Sequence, residues 1–399
     1  MTQTAGRRRP LTAGVAILAA ALSWMVAAPV AGSPSGSRSP ITAVVDPALR
    51  VAHGTVSVIV RGTHSVESSV RQMGGRVTHD LPLIGGFSAK VPATDLPRIA
   101  RIPGATSITL DRPATVQSAR GSTNNIPSVY KKVTGGERLG NVGARGQGVT
   151  VALVDTGVTS MPDIANSLLT VSTDPLNLTS ASCVNFTSEP TCDDSYGHGT
   201  FMAGLIAGNG SSSNGKYVGM APQAKIVSIK IAGASGASDV STIIAAIQWV
   251  VSFKTQYNIR VLNLSLGTDS TQSYTVDPLD YAVERAWSSG IVVNVAASNR
   301  GPAAATISDP ANDPFVITVG AIDDKGTNSL GDDVLPNFSG RGPTATDNLA
   351  KPDVVAPGAH VVSLMAPGSA IATNFPSSMA APYHRGSGTS MANGIVSGL

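Results

Sequence analysis

The sequence predicts an α/β protein: a doubly wound, mostly parallel sheet, preceded by a small α+β unit of ferredoxin-like order. Three observations carry this. From Val149 onward, short runs rich in Val and Ile recur ("VTVALVD", "AKIVSIKI", "RVLNLSLG", "IVVNVAA", "FVITVGA") and suit strands buried on both faces. Helical patterns lie between several of them, "DVSTIIAAIQWVVSF" and "DPLDYAVERAWSSG", and that alternation argues parallel crossovers. Ahead of them, residues 51–111 read as β-α-β-β-α-β, the split order of ferredoxin-like units.

The chain opens with Arg7, Arg8 and Arg9, an apolar stretch from Leu11 to Val30, and small residues around Ala31 and Gly32. This reads as an export signal over residues 1–32. An uncleaved membrane anchor is the alternative, since the run is nearly long enough to span a bilayer; the following "GSPSGSRSP" favours cleavage. In the 51–111 unit, "GTVSVIVRG" alternates as a strand and "SVESSVRQM" has helical spacing. "RVTHDL" and "GGFSAKV" read as strands, "ATDLPRIARI" as a helix and "ATSITLD" as a last strand. Its core of about 60 residues is marginal alone. Residues 112–145 are polar and Gly-rich and read as a linker, with a processing site expected between Thr115 and Asn125. The remainder, 146–399, carries the parallel-sheet pattern.

A chain of 399 residues with 42% hydrophobic content can bury a sizeable core. A net charge of +3 gives no nucleic-acid signal, and none is expected as a partner. The charge is uneven: residues 1–120 hold 13 Lys/Arg and 5 Asp/Glu, and residues 121–399 hold 15 and 20. A basic front could dock on an acidic back, although signal peptides and linkers are commonly basic. In an exported protein Cys183 and Cys192 are expected to pair; free or metal-binding thiols are the alternative, but no zinc-type spacing surrounds them.

Ligands of open α/β sheets bind at the carboxyl ends of strands. Asp155 closes the first strand there, in "VALVDTGV". Taken singly, a turn or helix cap is the commoner role for such an Asp. His198 lies in "DDSYGHGTFMAGLIAG" at the start of a small-faced helix, where the positive dipole end would keep it neutral, the form a general base needs. A loop histidine is the plain alternative, but the other five have no comparable setting. Ser390 opens a helix in "SGTSMANGIVSGL", where unpaired backbone N–H groups could stabilise an oxyanion; an ordinary N-cap is the competing role. Asn299, after the strand in "VNVAASNRG", could be a second donor or a turn residue. Together they run Asp, His, Asn, Ser, one of three chain orders known for unrelated Ser-His-Asp triads.

With those blocks in view, the chain resembles the subtilisin-like serine proteases. "VALVDTGV", "GHGTFMAGLIAG" and "SGTSMA" are similar to the family's Asp, His and Ser blocks. "VGMAPQAKIVSIKI", "VLNLSLG" and "FSGRGPTATDNLAKPDVVAPG" are similar to its secondary blocks. The likeness runs from about Gly146 to the end. It implies a secreted endopeptidase, acting on protein or peptide substrates and needing no cofactor for its chemistry. Ser390 would be nucleophile, His198 general base and Asp155 its orienter. Asn299 and the Ser390 N–H would form the oxyanion hole. Ser265, Leu266 and Gly267 would pair with substrate as an extended strand. It also implies that 51–111 is a propeptide acting as intramolecular inhibitor and folding aid. A monomer is expected.

Departures qualify the likeness. The family's Ala-Ala-Gly-Asn is Ala296-Ala297-Ser298-Asn299 here, so Ser298 adds a side chain beside the expected S1 pocket. Arg300 follows at a position that suggests tolerance of acidic P1 residues. Phe201 stands where His is commoner, and Gly394 and Ile395 replace the usual Pro and His, which puts the helix geometry in question. The family commonly binds calcium. Yet "NGSSSNGKYVGMAP" at one such place has few carboxylates, so a solvated loop is the better reading and no metal ligand is assigned. The helix opened at Ser390 has only ten residues left, about 15 Å, so the family likeness implies a truncated chain whose C-terminal anchor or further domain would be unseen. A catalytically inactive binding relative and a non-proteolytic serine hydrolase are the competing functions.

Overall fold

Val58 and Val60 face one way and Ile59 the other, and this alternation sets the architecture of the N-terminal unit. In the computed structural model, which describes residues 42–116, 126–172, 180–376 and 379–399, they lie on the strand Thr55–Gly62. Val58 and Val60 pack into the unit's own core with Val66 and Val70 of the helix His64–Gln72. Ile59 joins Leu81 and Ile84 in the core of the larger sheet. The five-stranded sheet runs Val44–Val45, Ala105–Leu110, Thr55–Gly62, Gly86–Pro92, Arg76–Leu81. The first strand is an addition to the predicted set. The helix expected over 93–102 shrinks to Leu96–Ile99, because Pro97 fixes its start and Pro103 forbids its continuation.

The larger sheet has seven strands, every neighbouring pair parallel: Val184–Asn185, Lys225–Lys230, Thr150–Asp155, Ile259–Leu264, Val292–Ala296, Ile317–Ile322, Val354–Pro357. All six residues of Thr150–Asp155 are buried, as an apolar run covered on both faces requires. Ala152 and Val154 pack toward the helices Val240–Phe253 and Pro278–Ser288. Val151 and Leu153 pack toward His198–Ala207 and Thr389–Gly398. Phe201, 2% exposed, fills this second core with Met202, Leu205 and Ile395.

The stretch read as a linker is structured in part. Pro113–Val116 is a strand held between Ala237–Asp239 and Leu266–Thr268, antiparallel to both. Short helices follow at Tyr130–Val133 and Gly136–Asn141. Their polar composition hid this, because their partners lie far along the chain: Tyr130 donates to the Val218 carbonyl at 3.0 Å and Lys131 Nζ to that of Gly219 at 2.9 Å. The export signal and most of the expected processing segment lie outside the described residues. Among those described, no helix is long and apolar enough to cross a membrane. Cys183 and Cys192 form a disulfide with Cα atoms 5.7 Å apart.

Candidate active site

Asp155 ends its strand at the carboxyl edge of the sheet, and both its oxygens face His198 Nδ1, at 2.8 and 2.9 Å. Asp155 is 1% and His198 0% exposed. The contact needs the His198 helix to approach the strand end closely. Gly199 permits it, since a Cβ there would lie 2.1 Å from the Gly157 carbonyl oxygen. Thr156 adds a fixed bracket: its N–H donates to Asp155 Oδ1 at 2.8 Å, and its Oγ1 accepts from Gly199 N at 3.0 Å.

A second buried carboxylate, missed in the sequence, stands behind this pair. Asp194 accepts from Gly197 N at 2.6 Å, Thr200 N at 2.7 Å and Thr156 Oγ1 at 2.7 Å. It therefore caps the helix that carries His198. The run "DDSYGHGT" held the signal, an acidic residue just before a helix start. Burial pushes His198 down, as a helix N-terminus would. The charge and hydrogen bond of Asp155, then the charge of Asp194, outweigh that and raise the imidazole above its ordinary value. Two nearby carboxylates favour the imidazolium.

Ser390 lies in the first turn of Thr389–Gly398, fully buried. The preceding Gly388 has φ 157° and ψ 160°, a region essentially confined to glycine. Ser390 Oγ donates to the Ser265 carbonyl at 3.3 Å, and among the described residues no hydrogen bond reaches His198 Nε2. Contacts between nucleophile and base commonly tighten only with substrate in place. Asn299 accepts from Thr389 N at 2.8 Å and Thr389 Oγ1 at 3.1 Å through Oδ1. The asparagine is thus tied to the residue before Ser390, with the carbonyl end of its amide committed.

The Ser390 helix is held by a buried polar ladder that sequence reasoning also missed. Asn393 Nδ2 faces the Leu264 carbonyl, Ser265 Oγ and the Asn294 carbonyl at 3.2, 3.2 and 3.3 Å. Ser397 Oγ accepts from Asn263 Nδ2 at 2.8 Å and Asn294 Nδ2 at 3.1 Å. Gly394 sits against Met202 and Leu205, where a Cβ would come within 3.3 Å of the Met202 sulfur. The helix is regular through Gly394 and Ile395.

Of the predicted substrate edge, Leu266 and Gly267 are in the strand Leu266–Thr268, opposite Val116 and Thr115. Ser265 lies just before it, buried, its hydroxyl donating to Asn263 Oδ1 at 3.0 Å. Ala297 is closed into the sheet, its N–H on the Val319 carbonyl at 2.9 Å and its carbonyl accepting from Ser308 N at 3.1 Å. Ser298 is fully buried at φ 125°, and its hydroxyl donates to the Thr306 carbonyl. Arg300 is half-exposed and paired with Asp269. The loop weighed for calcium, residues 209–222, is tied down by Asp163 from outside it, which accepts from Ser212 N at 3.1 Å, from the Ser211 and Ser212 hydroxyls, and from Tyr383 Oη at 2.6 Å.

Residues 146–399 match the model of the subtilase family. Serine protease AprX of Bacillus subtilis (strain 168) is 41% identical over 264 residues, covering 64% of this chain and 56% of the relative. Subtilisin Savinase of Lederbergia lenta is 35% identical over 246 residues, covering 62% and 77%. Fervidolysin from Fervidobacterium pennivorans shares the fold at a TM-score of 0.66 and 23% identity, covering 90% of this chain and 56% of that structure. The chain thus spans little more than half the length of AprX and of fervidolysin.

Proposed function

The chain belongs to the subtilase family, and from that premise we propose that it is a secreted serine endopeptidase made as a self-processed precursor. The observation that carries the catalytic reading is the buried pair in which both Asp155 oxygens face His198 Nδ1. That pairing fixes the tautomer with Nε2 as the base and stabilises the imidazolium formed when Ser390 Oγ gives up its proton. Ser390 attacks the scissile carbonyl of a protein or peptide substrate. The oxyanion falls to Ser390 N–H and the Asn299 amide, oriented by Thr389. His198 then protonates the leaving amine, and water hydrolyses the acyl-enzyme.

Residues 51–111 act as propeptide, and the strand that follows them supports an inhibitory role. Pro113–Val116 pairs with Leu266–Thr268, the edge assigned to substrate, and ends opposite Leu266, next to the Ser265 carbonyl that accepts from Ser390. Processing falls between Thr115 and Asn125. Export rests on the Arg7–Arg9 and Leu11–Val30 pattern and on the disulfide.

N-terminal sequencing of secreted protein tests both halves. Wild type should yield a new N-terminus between Thr115 and Asn125 and react at Ser390 with a fluorophosphonate, whereas Ser390→Ala should stay uncut. A wild-type chain that neither labels nor cleaves casein would sink the proposal in favour of an inactive binding relative. Ester turnover without casein cleavage would point to a non-proteolytic hydrolase.

A further inference from the structure

Four cations from three stretches of the chain line one cavity. Lys131 and Lys132 come from the short helix Tyr130–Val133, Arg145 from the stretch after Gly136–Asn141, and Lys216 from the loop of residues 209–222. The cavity has a volume of about 470 Å³, and Glu137 is the one carboxylate among its described lining residues. Its walls are pinned to each other. Tyr130 Oη and Lys131 Nζ donate to the carbonyls of Val218 and Gly219 at 3.0 and 2.9 Å, and the Arg145 carbonyl accepts from Gln223 N at 2.9 Å. A left-handed turn at Asn214 (φ 52°) and Gly215 (φ 82°) sets Lys216 in place, its ammonium 5.1 Å from the centre of the Tyr217 ring.

Residues 121–399 are acidic overall and hold 15 Lys/Arg, yet four of these share this cavity. Like charges gathered in one place repel. Lys230, Lys325 and Lys351 are each paired with a carboxylate. None of the four cavity cations lies within 4.0 Å of one among the described residues. Lys131, half-buried, has one acceptor for its three N–H groups. Burial pushes its ammonium down; Glu137 counters this, and Arg145 adds to it. Arg145 donates through Nε to the Gly140 carbonyl at 3.0 Å, and its Nη groups have no acceptor among the described residues. Four cations against one carboxylate leave an excess of three positive charges. Convergent donors without acceptors suit an oxyanion that carries more than one charge and accepts several N–H groups at once. The volume is that of a small-molecule site, and a walled cavity is unlike the long basic groove that a polymer follows. We propose that Lys131, Lys132, Arg145 and Lys216 bind a small multivalent oxyanion of the phosphate class. Bound there, it would tie the segment 126–145, which follows the processing region, to the loop 209–222. The site uses no catalytic residue and would stand if the proteolytic reading failed.

The test uses the full chain carrying Ser390→Ala, which prevents self-processing. Sodium phosphate is titrated calorimetrically against sodium acetate, with ionic strength matched by sodium chloride. Phosphate should bind with a Kd of about 1 mM or tighter and at least about tenfold better than acetate. At roughly ten times that Kd it should raise Tm by about 2 °C over matched chloride. Lys216→Gln and Arg145→Gln, both at exposed positions, should each weaken phosphate about fivefold or more. Arg138→Gln, exposed on the neighbouring helix and outside the lining, should leave it unchanged. A phosphomonoester, glycerol phosphate, tests whether the anion can be part of a larger molecule. Binding as tight as phosphate admits an ester, and weaker binding confines the site to the free ion. The proposal is overturned if phosphate does no better than acetate, if both cavity variants bind like their parent, or if Arg138→Gln weakens binding as much as they do.

Discussion

The charge state of His198 is decided by two carboxylates of different rank. Asp155 bonds to it, and Asp194 acts across the Thr156 bracket. A raised imidazole must lose its proton before it can act as base. The acid limb of kcat/KM should therefore lie above the ordinary 6.5, with activity gained as pH rises through it. For stability the sign runs the other way: the contribution of the raised group is full below 6.5 and is lost as pH climbs through its folded value. Asp194→Asn should shift the acid limb downward while leaving an active enzyme. Asp155→Asn should cost on the order of 10⁴ in kcat, as tautomer control is lost. An unmoved limb in Asp194→Asn, measured with a neutral peptide ester, would remove that residue from the electrostatics of the site. At the rim, Arg300 suggested acidic P1 preference, but its pairing with Asp269 damps the charge. Asp269→Ala should raise kcat/KM for Glu-P1 peptides relative to Leu-P1 by roughly fivefold, worth about 1 kcal/mol. Arg300→Glu should lower that ratio, and a peptide library with neither change would exclude Arg300 from specificity.

At the scale of elements, the helix Thr389–Gly398 was legible at its start and opaque in its body. A Gly-flanked serine before an apolar run is a readable helix opening, and Gly388 at φ 157° is its physical reason. Asn393 and Ser397 carried no signal. Their partners, Asn263, Ser265 and Asn294, sit 99 to 134 residues earlier, and a local pattern cannot announce a cross-core hydrogen bond. Yet the ladder fixes the helix against both central strands. Asn393→Ala would orphan buried acceptors and should cost about 2–3 kcal/mol. It should also lower kcat by displacing Ser390, and urea unfolding with active-site titration would separate the two effects. The disulfide is a smaller device. Replacing Cys183 and Cys192 by Ser opens a loop with sequence separation 9 and should cost roughly 2.5–3 kcal/mol by loop entropy, with activity retained at low temperature.

For the whole molecule, the parallel sheet and its burial on both faces were legible because buried parallel strands are written as continuous apolar runs. The pairing at the expected substrate edge was not, since "RPATV" reads as linker until Leu266–Thr268 and Ala237–Asp239 hold it on either side. The uneven charge of the sequence also suggested electrostatic docking of the N-terminal unit. Residues 42–116, however, hold only 8 Lys/Arg against 5 Asp/Glu, so much of the basic excess lies outside them. The contact itself is largely apolar. Ile59, Leu81 and Ile84 enter the core of the larger sheet, and Leu83 packs against it while its N–H donates to Gln248 at 3.0 Å. Asp111 accepts from Ser241 N and Oγ at 2.9 and 2.8 Å, and Arg61 stacks on Tyr281 at 3.9 Å. Screening acts on exposed charge and leaves apolar burial intact. Inhibition of the processed enzyme by the separate 42–116 segment should therefore change less than about threefold between roughly 0.05 and 0.5 M salt. Leu83→Asp should weaken it by about tenfold or more at either salt, through the cost of burying a charge. A steep loss of inhibition with salt, together with tolerance of Leu83→Asp, would return the docking to electrostatics.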